Sequence, residues 1–371
     1  MKIAVPAEIK NNEFRVAITP SGVHELTAAG HQVFIQTNAG QGSSISDQDY
    51  IAAGAQIMPD AQSTWNIADM VLKVKEPIAS EYQYLRPGLL LFTFLHLAAD
   101  PELTKELLAK EVTAIAYETV QTPNRQLPLL APMSEVAGRL SVLVGAQSLF
   151  AQNGGHGILL GGVPGTRSAK VAILGGGVAG TNAIAMAVGL GADVTVLDTN
   201  INRLRELDSI YHGRLKTLAS NSFEIDRAVS QADLVIGSVL IPGAKAPKLV
   251  TNALVKKMKP GSVLVDIAID QGGCFEDSKP TTHAEPTFKV HQSIFYCVAN
   301  MPGAVAHTST YALTNATLSY AKALANKGWL EACKADHSLA LGLNTHAGKL
   351  VNQPVAEAHS LPYSDLDALL A

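Results

Sequence analysis

The segment Val171-Ala-Ile-Leu-Gly175-Gly-Gly177-Val-Ala-Gly180 limits the folds open to this chain more than any other stretch. An apolar run ends on a glycine, two more glycines follow at the G-x-G-x-x-G spacing, and the helix-like stretch Thr181–Val188 comes next. Gly175 permits a tight strand-to-helix turn. Gly177 leaves the backbone bare, so that a pyrophosphate can approach, and Gly180 lets the helix pack on the strand. The helix N-terminus then offers unpaired N–H groups and a partial positive charge. The glycine spacing alone is weak evidence, and the flanking strand and helix supply the context it needs. The next apolar run, Val194–Leu197, ends at Asp198, eighteen residues after Gly180. A carboxylate there can accept ribose hydroxyls and would repel a 2′-phosphate, which favours NAD over NADP. Arg203 and Arg205 lie close enough in sequence to soften that preference.

The same alternation of short apolar runs and helix-like periods extends along most of the 371 residues, a length that suggests two domains. Before the glycine motif, candidate strands are Lys2–Val5, Gln32–Gln36, Met70–Val74, Leu89–Leu95 and Thr113–Tyr117, with helical spacing in Ser21–Ala29 and Glu102–Ala109. Pro123, Pro128 and Pro132 mark a domain crossing. A long helix is expected from Ser134, as N-cap, to Gln152, ended by Gly154, Gly155 and Gly157. A second series follows, with strands at Val171–Leu174, Val194–Leu197, Lys216–Ala219, Leu234–Gly237, Val263–Ile267 and Phe295–Val298. Six strands with intervening helices are what a complete dinucleotide-binding domain needs. From His307 to Lys327 the pattern is helical and strand-poor, and a helix returning there makes the first domain discontinuous. The expected fold is α/β: two Rossmann-like, doubly wound parallel-sheet domains with a cleft between them. Residues 1–128 plus 307–371 form the substrate domain and 129–306 the NAD-binding domain.

Composition removes several function classes. Apolar residues make up 47% and charged residues 16%, the reverse of the balance that disorder requires. The net charge is −4 and no basic run occurs, so no nucleic-acid partner is expected. Val171–Ala192 carries no charge over 22 residues, but six glycines make it strand, turn and buried helix rather than a membrane span. The N-terminus lacks a basic-then-apolar signal region, so a soluble, cytoplasmic protein is expected. Cys274, Cys297 and Cys333 are too few and too scattered for a disulfide framework, and free buried thiols are the expected state. The histidines show no metal-binding spacing, and neither G-x-S-x-G nor a P-loop occurs, so no metal is expected.

Four residues carry candidate chemistry. Arg15, in Glu13-Phe-Arg15-Val-Ala-Ile-Thr-Pro20, can hold a carboxylate by two parallel hydrogen bonds, although a surface ion pair is the plainer reading. Lys75 closes the candidate strand Met70–Val74, with Lys73 on the same face, and strand C-termini are where ligands bind in such folds. It can bind a carboxylate or polarise a carbonyl, or it is an ordinary surface lysine. His96 ends its candidate strand and titrates near neutral pH, which suits acid–base work, although a structural role is as frequent. Asp270, in Asp266-Ile-Ala-Ile-Asp270-Gln-Gly-Gly273, follows the fifth strand of the second series. It can relay protons or orient an ammonium, or simply stabilise a turn.

Taken with Lys73-Val-Lys75-Glu-Pro77, Thr93-Phe-Leu-His96-Leu97 and Pro132-Met-Ser134-Glu-Val-Ala-Gly138, these segments resemble the bacterial L-alanine dehydrogenase family, from Met1 to the C-terminal helices. The resemblance implies NAD-dependent, reversible oxidative deamination of L-alanine to pyruvate and ammonium. It implies that Arg15 and Lys75 bind the substrate carboxylate, and that His96 and Asp270 are the acid–base residues. Ser134, Val178, Ala179, Asp198, Arg203, Ser220, Val239 and Leu240 would line the NAD site. Ile267, Ala268, Ile269, Asp270, Lys279, Val298, Ala299, Asn300 and Met301 would complete it near the nicotinamide. A cytoplasmic homohexamer is implied. Gly176 departs from the family's Gly-Ala-Gly at little expected cost. The soluble NAD-binding component of a proton-translocating transhydrogenase is the nearest alternative. That family is expected to carry an aromatic residue in place of His96 and a glutamate in place of Asp270. A non-catalytic NAD-binding protein is the other alternative, and it leaves residues 15, 75, 96 and 270 without a purpose.

Overall fold

The computed structural model describes residues 1–239 and 246–371. They divide into two compact units, one of Met1–Met133 with Val305–Ala371 and the other of Ser134–Ala304, a few residues from the divisions expected at 128/129 and 306/307.

The first unit begins with strands β1 (Lys2–Val5), β2 (Gln32–Gln36), β3 (Gln56–Met58), β4 (Met70–Leu72), β5 (Leu90–Thr93) and β6 (Thr113–Ala116). The second contributes β7 (Lys170–Leu174), β8 (Asp193–Asp198), β9 (Lys216–Ala219), β10 (Leu234–Gly237), β11 (Val263–Asp266), β12 (Thr287–Val290) and β13 (Ser293–Tyr296). The returning chain adds β14 (Leu343–His346) and β15 (Lys349–Leu350) to the first.

Among the described residues the first sheet runs β3-β2-β1-β4-β5-β6-β14-β15 and the second β9-β8-β7-β10-β11-β13-β12. The first sheet contains the doubly wound order 3-2-1-4-5-6; the second follows the same order with β13 in the sixth place, and in both the parallel strands are extended by antiparallel ones only at one edge. The central strands are buried along their whole length, as a sheet covered on both faces requires. The order reverses between β1 and β4 in the first sheet and between β7 and β10 in the second. The ligand sites of such folds lie beyond the strand ends at these reversals.

Several sequence expectations need correction. The strands expected to reach Val74, Leu95 and Tyr117 stop at Leu72, Thr93 and Ala116, because apolar pattern does not reveal where a ladder ends. The last expected strand, Phe295–Val298, lies two residues earlier, at Ser293–Tyr296. His307–Lys327 is helical as expected, but beyond it β14 pairs with β6, and its sequence Leu-Asn-Thr-His carries too weak an alternation to signal this. The long helix runs Ala131–Ser148, not Ser134–Gln152. Pro132 opens it instead of ending the preceding segment, since proline lacks only an N–H that the first turn leaves unpaired. Ser134 therefore lies inside the first turn and is not the N-cap. The helix Ala306–Ala335 continues beyond Lys327, with a break at Gly328, where φ is 75°.

One ionic pin holds the N-terminal edge of the second sheet. Asp233, immediately before β10, is buried and accepts from Arg167 Nη1 (2.8 Å), Lys259 Nζ (2.7 Å) and the Lys170 backbone N–H (2.7 Å), with His156 Nε2 at 3.4 Å. Burial pushes this carboxyl up, but Arg167, Lys259 and the backbone donor outweigh it and hold the pKa at about 2. A depressed pKa stabilises the folded state above the unfolded value near 4, and this is lost as pH falls towards 2. Asp233→Asn is expected to lower stability by about 2 kcal/mol at neutral pH. Thermal melts of the two proteins should converge below about pH 4, and a pH-independent difference would count against this ionic account.

Candidate active site

In the second unit, β7 runs directly into the glycine turn. Gly175 has φ +101°, the left-handed region that L side chains rarely adopt. The Ser238 hydroxyl, just past β10, donates to the carbonyls of Leu174 (2.9 Å) and Gly175 (3.0 Å) and fixes the turn at the strand-order reversal. A β-carbon on Gly180 would stand 1.9 Å from the Gly175 carbonyl oxygen, so glycine is required for the helix Val178–Gly189 to start there. By contrast, a β-carbon on Gly177 would meet nothing within 4 Å. Gly177 is also the N-cap of that helix and makes no side-chain capping hydrogen bond. The bare backbone, open space and uncapped helix start fit a pyrophosphate. Gly138 extends the arrangement: its β-carbon would come 2.1 Å from the Ala179 carbonyl oxygen, so the helix Ala131–Ser148 packs directly on the turn.

Asp198 ends β8, and its carboxylate accepts from the backbone N–H of Gly176 (2.7 Å) and Asn200 (2.8 Å). These bonds aim it beside the glycine turn and leave it lone pairs for hydroxyl donors. A β-carbon at Gly176 would lie 3.0 Å from Leu207 Cδ1, tight but against a flexible side chain, so the departure from Gly-Ala-Gly is tolerable in either direction. Arg203 is held within this unit: Nε donates to the Gly176 carbonyl (2.7 Å), and the guanidinium also contacts Thr181 and Glu206. Arg205, exposed, bonds to Asn202 (2.8 Å) on its own helix. Ser220 pairs its backbone N–H with the Asp198 carbonyl (2.9 Å), and half-buried Val239 follows β10. Leu240 lies outside the described residues.

Past β11, Asp266 organises the segment that bears Asp270. Its buried carboxylate accepts from the backbone N–H of Ala268 (3.1 Å), Cys274 (2.9 Å) and Phe275 (3.3 Å), and from the Ser278 hydroxyl. Ile267–Gln271 thus form a short helix in which Ala268 and Ile269 are buried and Asp270 is exposed. Gly272 and Gly273 take φ of 87° and 74°, and Lys248 Nζ donates to both their carbonyls (2.6 and 2.9 Å), so the two glycines make a braced turn. Lys279 is exposed over the Phe288 ring. Val298 and Met301 are buried, with half-buried Ala299 and Asn300 between them. Ala299 is tied by its N–H to the Thr281 carbonyl (3.2 Å), and the Asn300 carbonyl lies 3.3 Å from His283 Nε2.

In the first unit, Arg15, Lys75 and His96 follow β1, β4 and β5, the strands at and next to the order reversal. Arg15 does not form a surface ion pair. It is buried, and its fork meets Glu13 through Nε (2.6 Å) and Nη2 (2.5 Å), while Nη1 reaches Met133 Sδ (2.9 Å). Burial pushes the Glu13 carboxyl up, but Arg15 and, more weakly, Lys75 outweigh this and hold it below the usual carboxylate range. Lys75 is half-buried and lies beyond the end of β4, with its carbonyl accepting from Thr93 of β5 (3.1 Å). Lys73, expected on the same face, is instead fully buried between Glu8 and Glu81, with Nζ 3.0 Å from each carboxylate. Glu8 also caps the end of β4 by accepting from Val74 N–H (2.6 Å).

His96 lies three residues past β5, in the left-handed region (φ 51°), with its side chain 45% exposed and its ring parallel to Phe94 at 5.7 Å. Sequence reading gave no role to Glu118, Lys73, Asp266 or Ser238. For Glu118 a signal was available: a carboxylate one residue past the expected strand Thr113–Tyr117, as Lys75 and His96 are one residue past theirs. Arg15, Lys75 and His96 belong to the first unit and Asp270 to the second. The three cysteines are free and buried. Among the described residues no cluster of His, Cys, Asp or Glu is arranged to hold a metal, and no helix is long and apolar enough to cross a membrane.

Residues 4–137 match the N-terminal domain of the alanine dehydrogenase/PNT family, and residues 141–353 match its C-terminal domain. The chain belongs to the alanine dehydrogenase family. It is 61% identical to an alanine dehydrogenase of Mycolicibacterium smegmatis over 371 residues, the whole of both chains. A solved L-alanine dehydrogenase superposes with a TM-score of 0.94 at 54% identity, over 97% of this chain and 99% of that one. A transhydrogenase from Sinorhizobium meliloti superposes with a TM-score of 0.83 at 26% identity, over 95% of this chain and all of the other. Family membership and the doubly wound fold agree with the sequence reading. By identity the solved L-alanine dehydrogenase is about twice as similar to this chain as the transhydrogenase is.

Proposed function

We propose that this chain is an NAD-dependent oxidoreductase that converts L-alanine to pyruvate and ammonium and runs the reverse amination. The observation that carries this reading is that each unit bears chemistry at its own strand-order reversal: one has a bare glycine turn followed by Asp198, and the other has Arg15, Lys75 and an exposed imidazole. Bound NAD⁺ supplies the hydride acceptor. The uncapped helix after Gly177 holds its diphosphate, and Asp198 accepts its ribose hydroxyls. Arg15 and Lys75 hold the substrate carboxylate and so present Cα for hydride loss, an effect of positioning. The amine must be neutral at that step. His96 then takes the proton from the water that attacks the resulting iminium carbon, and Asp270 accepts and returns protons as ammonia leaves.

The direct test is to follow the near-ultraviolet absorbance of NADH with purified protein, NAD⁺ and L-alanine at alkaline pH. A rise that needs alanine, and a fall with pyruvate plus ammonium, is expected. NAD⁺ binding without turnover would defeat the reading and leave a transhydrogenase-like or binding role. Asp198→Ala is expected to weaken NAD⁺ binding by about tenfold or more, from loss of charge-assisted hydrogen bonds, with KM for pyruvate within twofold of the parent's. Calorimetric titration decides it, and an unchanged NAD⁺ affinity would remove Asp198 from the ribose site. The working form we propose is a cytoplasmic homohexamer acting on small molecules alone, and sedimentation at six chain masses is the expected result.

A further inference from the structure

The carboxylate of Glu118 holds His96 from two sides. It stands two residues past β6, in the turn Tyr117–Thr119, half-buried beside the end of β5. Its Oε1 accepts the His96 backbone N–H at 2.6 Å, and both its oxygens accept the Leu95 N–H at 3.2 Å. Two successive backbone donors therefore converge on one acidic group. That convergence accompanies the left-handed φ of 51° at His96, a conformation that costs about 1–3 kcal/mol for a residue with a β-carbon and persists only where the surroundings over-determine it. The turn that follows is held too: His359 Nε2, from the C-terminal helix Gln353–His359, lies 2.6 Å from the Leu97 carbonyl oxygen. The backbone at 95–97 is thus fixed from β6 and from the tail.

The second contact is with the ring. His96 Nδ1 lies 3.9 Å from Glu118 Oε1, too long for a hydrogen bond but within range of an ion pair with the imidazolium. A small rotation of the exposed ring converts it to an Nδ1–H···O bond. That bond places the proton on Nδ1 and leaves Nε2 as the basic nitrogen, as a carboxylate partner does for histidine bases generally. Phe94, stacked parallel to the ring, keeps such a rotation in one plane.

We propose that Glu118 is the positioning residue for His96: it holds the strained backbone that turns the imidazole out beyond β5 and fixes its tautomer. This rests on the reading of His96 as the acid–base group. The carboxylate need not touch the substrate. Glu118→Gln keeps the shape and one acceptor oxygen but removes the charge.

The test is a double-mutant cycle with His96→Ala, reading kcat and KM for pyruvate and for alanine. Glu118→Gln is expected to lower kcat by about 10- to 100-fold, as for a lost charge-assisted bond to a catalytic group, with each KM within twofold of the parent's. In the His96→Ala background the same change should cost less than twofold. Glu118→Asp, which keeps the charge at shorter reach, should restore at least a tenth of the parent kcat. An equal loss in both backgrounds, or a parent-like kcat for Glu118→Gln, overturns the proposal for Glu118. A parent-like kcat for His96→Ala alone overturns the assignment of His96 instead, so the two failures are distinct. If Glu118→Gln does not accumulate as folded protein, the cycle run with Glu118→Asp decides on the same criteria: any loss must vanish when His96 is absent.

Discussion

Replacing His96 with alanine is expected to lower kcat by about 10²–10⁴, the usual size of a general-catalyst loss and equivalent to about 3–5 kcal/mol of barrier. The expectation follows from where the imidazole stands. It is exposed, three residues past β5, on a backbone held in a left-handed conformation, with a carboxylate on one side and a parallel aromatic ring beneath. A histidine kept for stability would be held by a hydrogen bond through its ring, as half-buried His346 is by Thr113 at 2.9 Å. Arg15 and Lys75 remain in the variant, so KM for pyruvate should stay within a few-fold, which separates loss of proton transfer from loss of binding. Added imidazole should restore part of the rate, because the space left is open to solvent. Steady-state kinetics in both directions checks this. A variant with parent-like kcat and the same pH dependence would end the assignment.

The largest effect on stability is expected from Lys73→Met. Methionine keeps most of the buried stem and removes the charge that lies 3.0 Å from both Glu8 and Glu81. Breaking a buried ion cluster by deleting one member typically costs about 3–5 kcal/mol, because the charges left behind are neither solvated nor paired. Here two carboxylates are left. Burial pushes the Glu8 carboxyl up even in the intact cluster, with Lys73 acting against it, and the same burial acting on Lys73 is outweighed by Glu8 and Glu81, which raise its pKa. Without Lys73, Glu8 has less to offset its burial, and its pKa rises further above the unfolded value. A carboxyl with a raised folded pKa binds more protons when folded, so the variant gains stability relative to the parent as pH falls. The expected result is a melting deficit that is largest at pH 8 and shrinks towards pH 5. A deficit that does not change over that range would mean that lost packing, not stranded charge, explains the effect. Because Glu8 also caps Val74, one residue before Lys75, loss of the cluster should also disturb the end of β4 that carries Lys75.

The glycine turn was readable because each of its residues answers a local steric demand. Gly175 needs a positive φ, and Gly180 leaves no room for a β-carbon. Such demands act over a few residues and leave a fixed spacing. The apolar runs of β1, β4, β7, β10 and β11 were readable for a similar reason, since a strand buried on both faces admits little else. Asp198 was found through its distance from the glycines, and its bond to Gly176 N–H belongs to the same local unit. The short edge strand β3 and the late pair β14 and β15 were not readable. They gain their hydrogen bonds from partners up to hundreds of residues away, and their own patterns are too short to signal it.

Sequence by itself determined the fold class, the family and the presence of a dinucleotide-binding turn, because these rest on steric and apolar patterns written within tens of residues. It also drew attention to Arg15, Lys75, His96 and Asp270. Only the tertiary structure decided how those side chains are held. It made Arg15 a buried partner of Glu13, put Lys73 inside a cluster with Glu8 and Glu81, and brought Glu118 against the backbone of His96. The physical reason is that charge is compensated through space. A buried cation needs an anion within a few ångströms, and the chain can supply that anion from any position it folds back to.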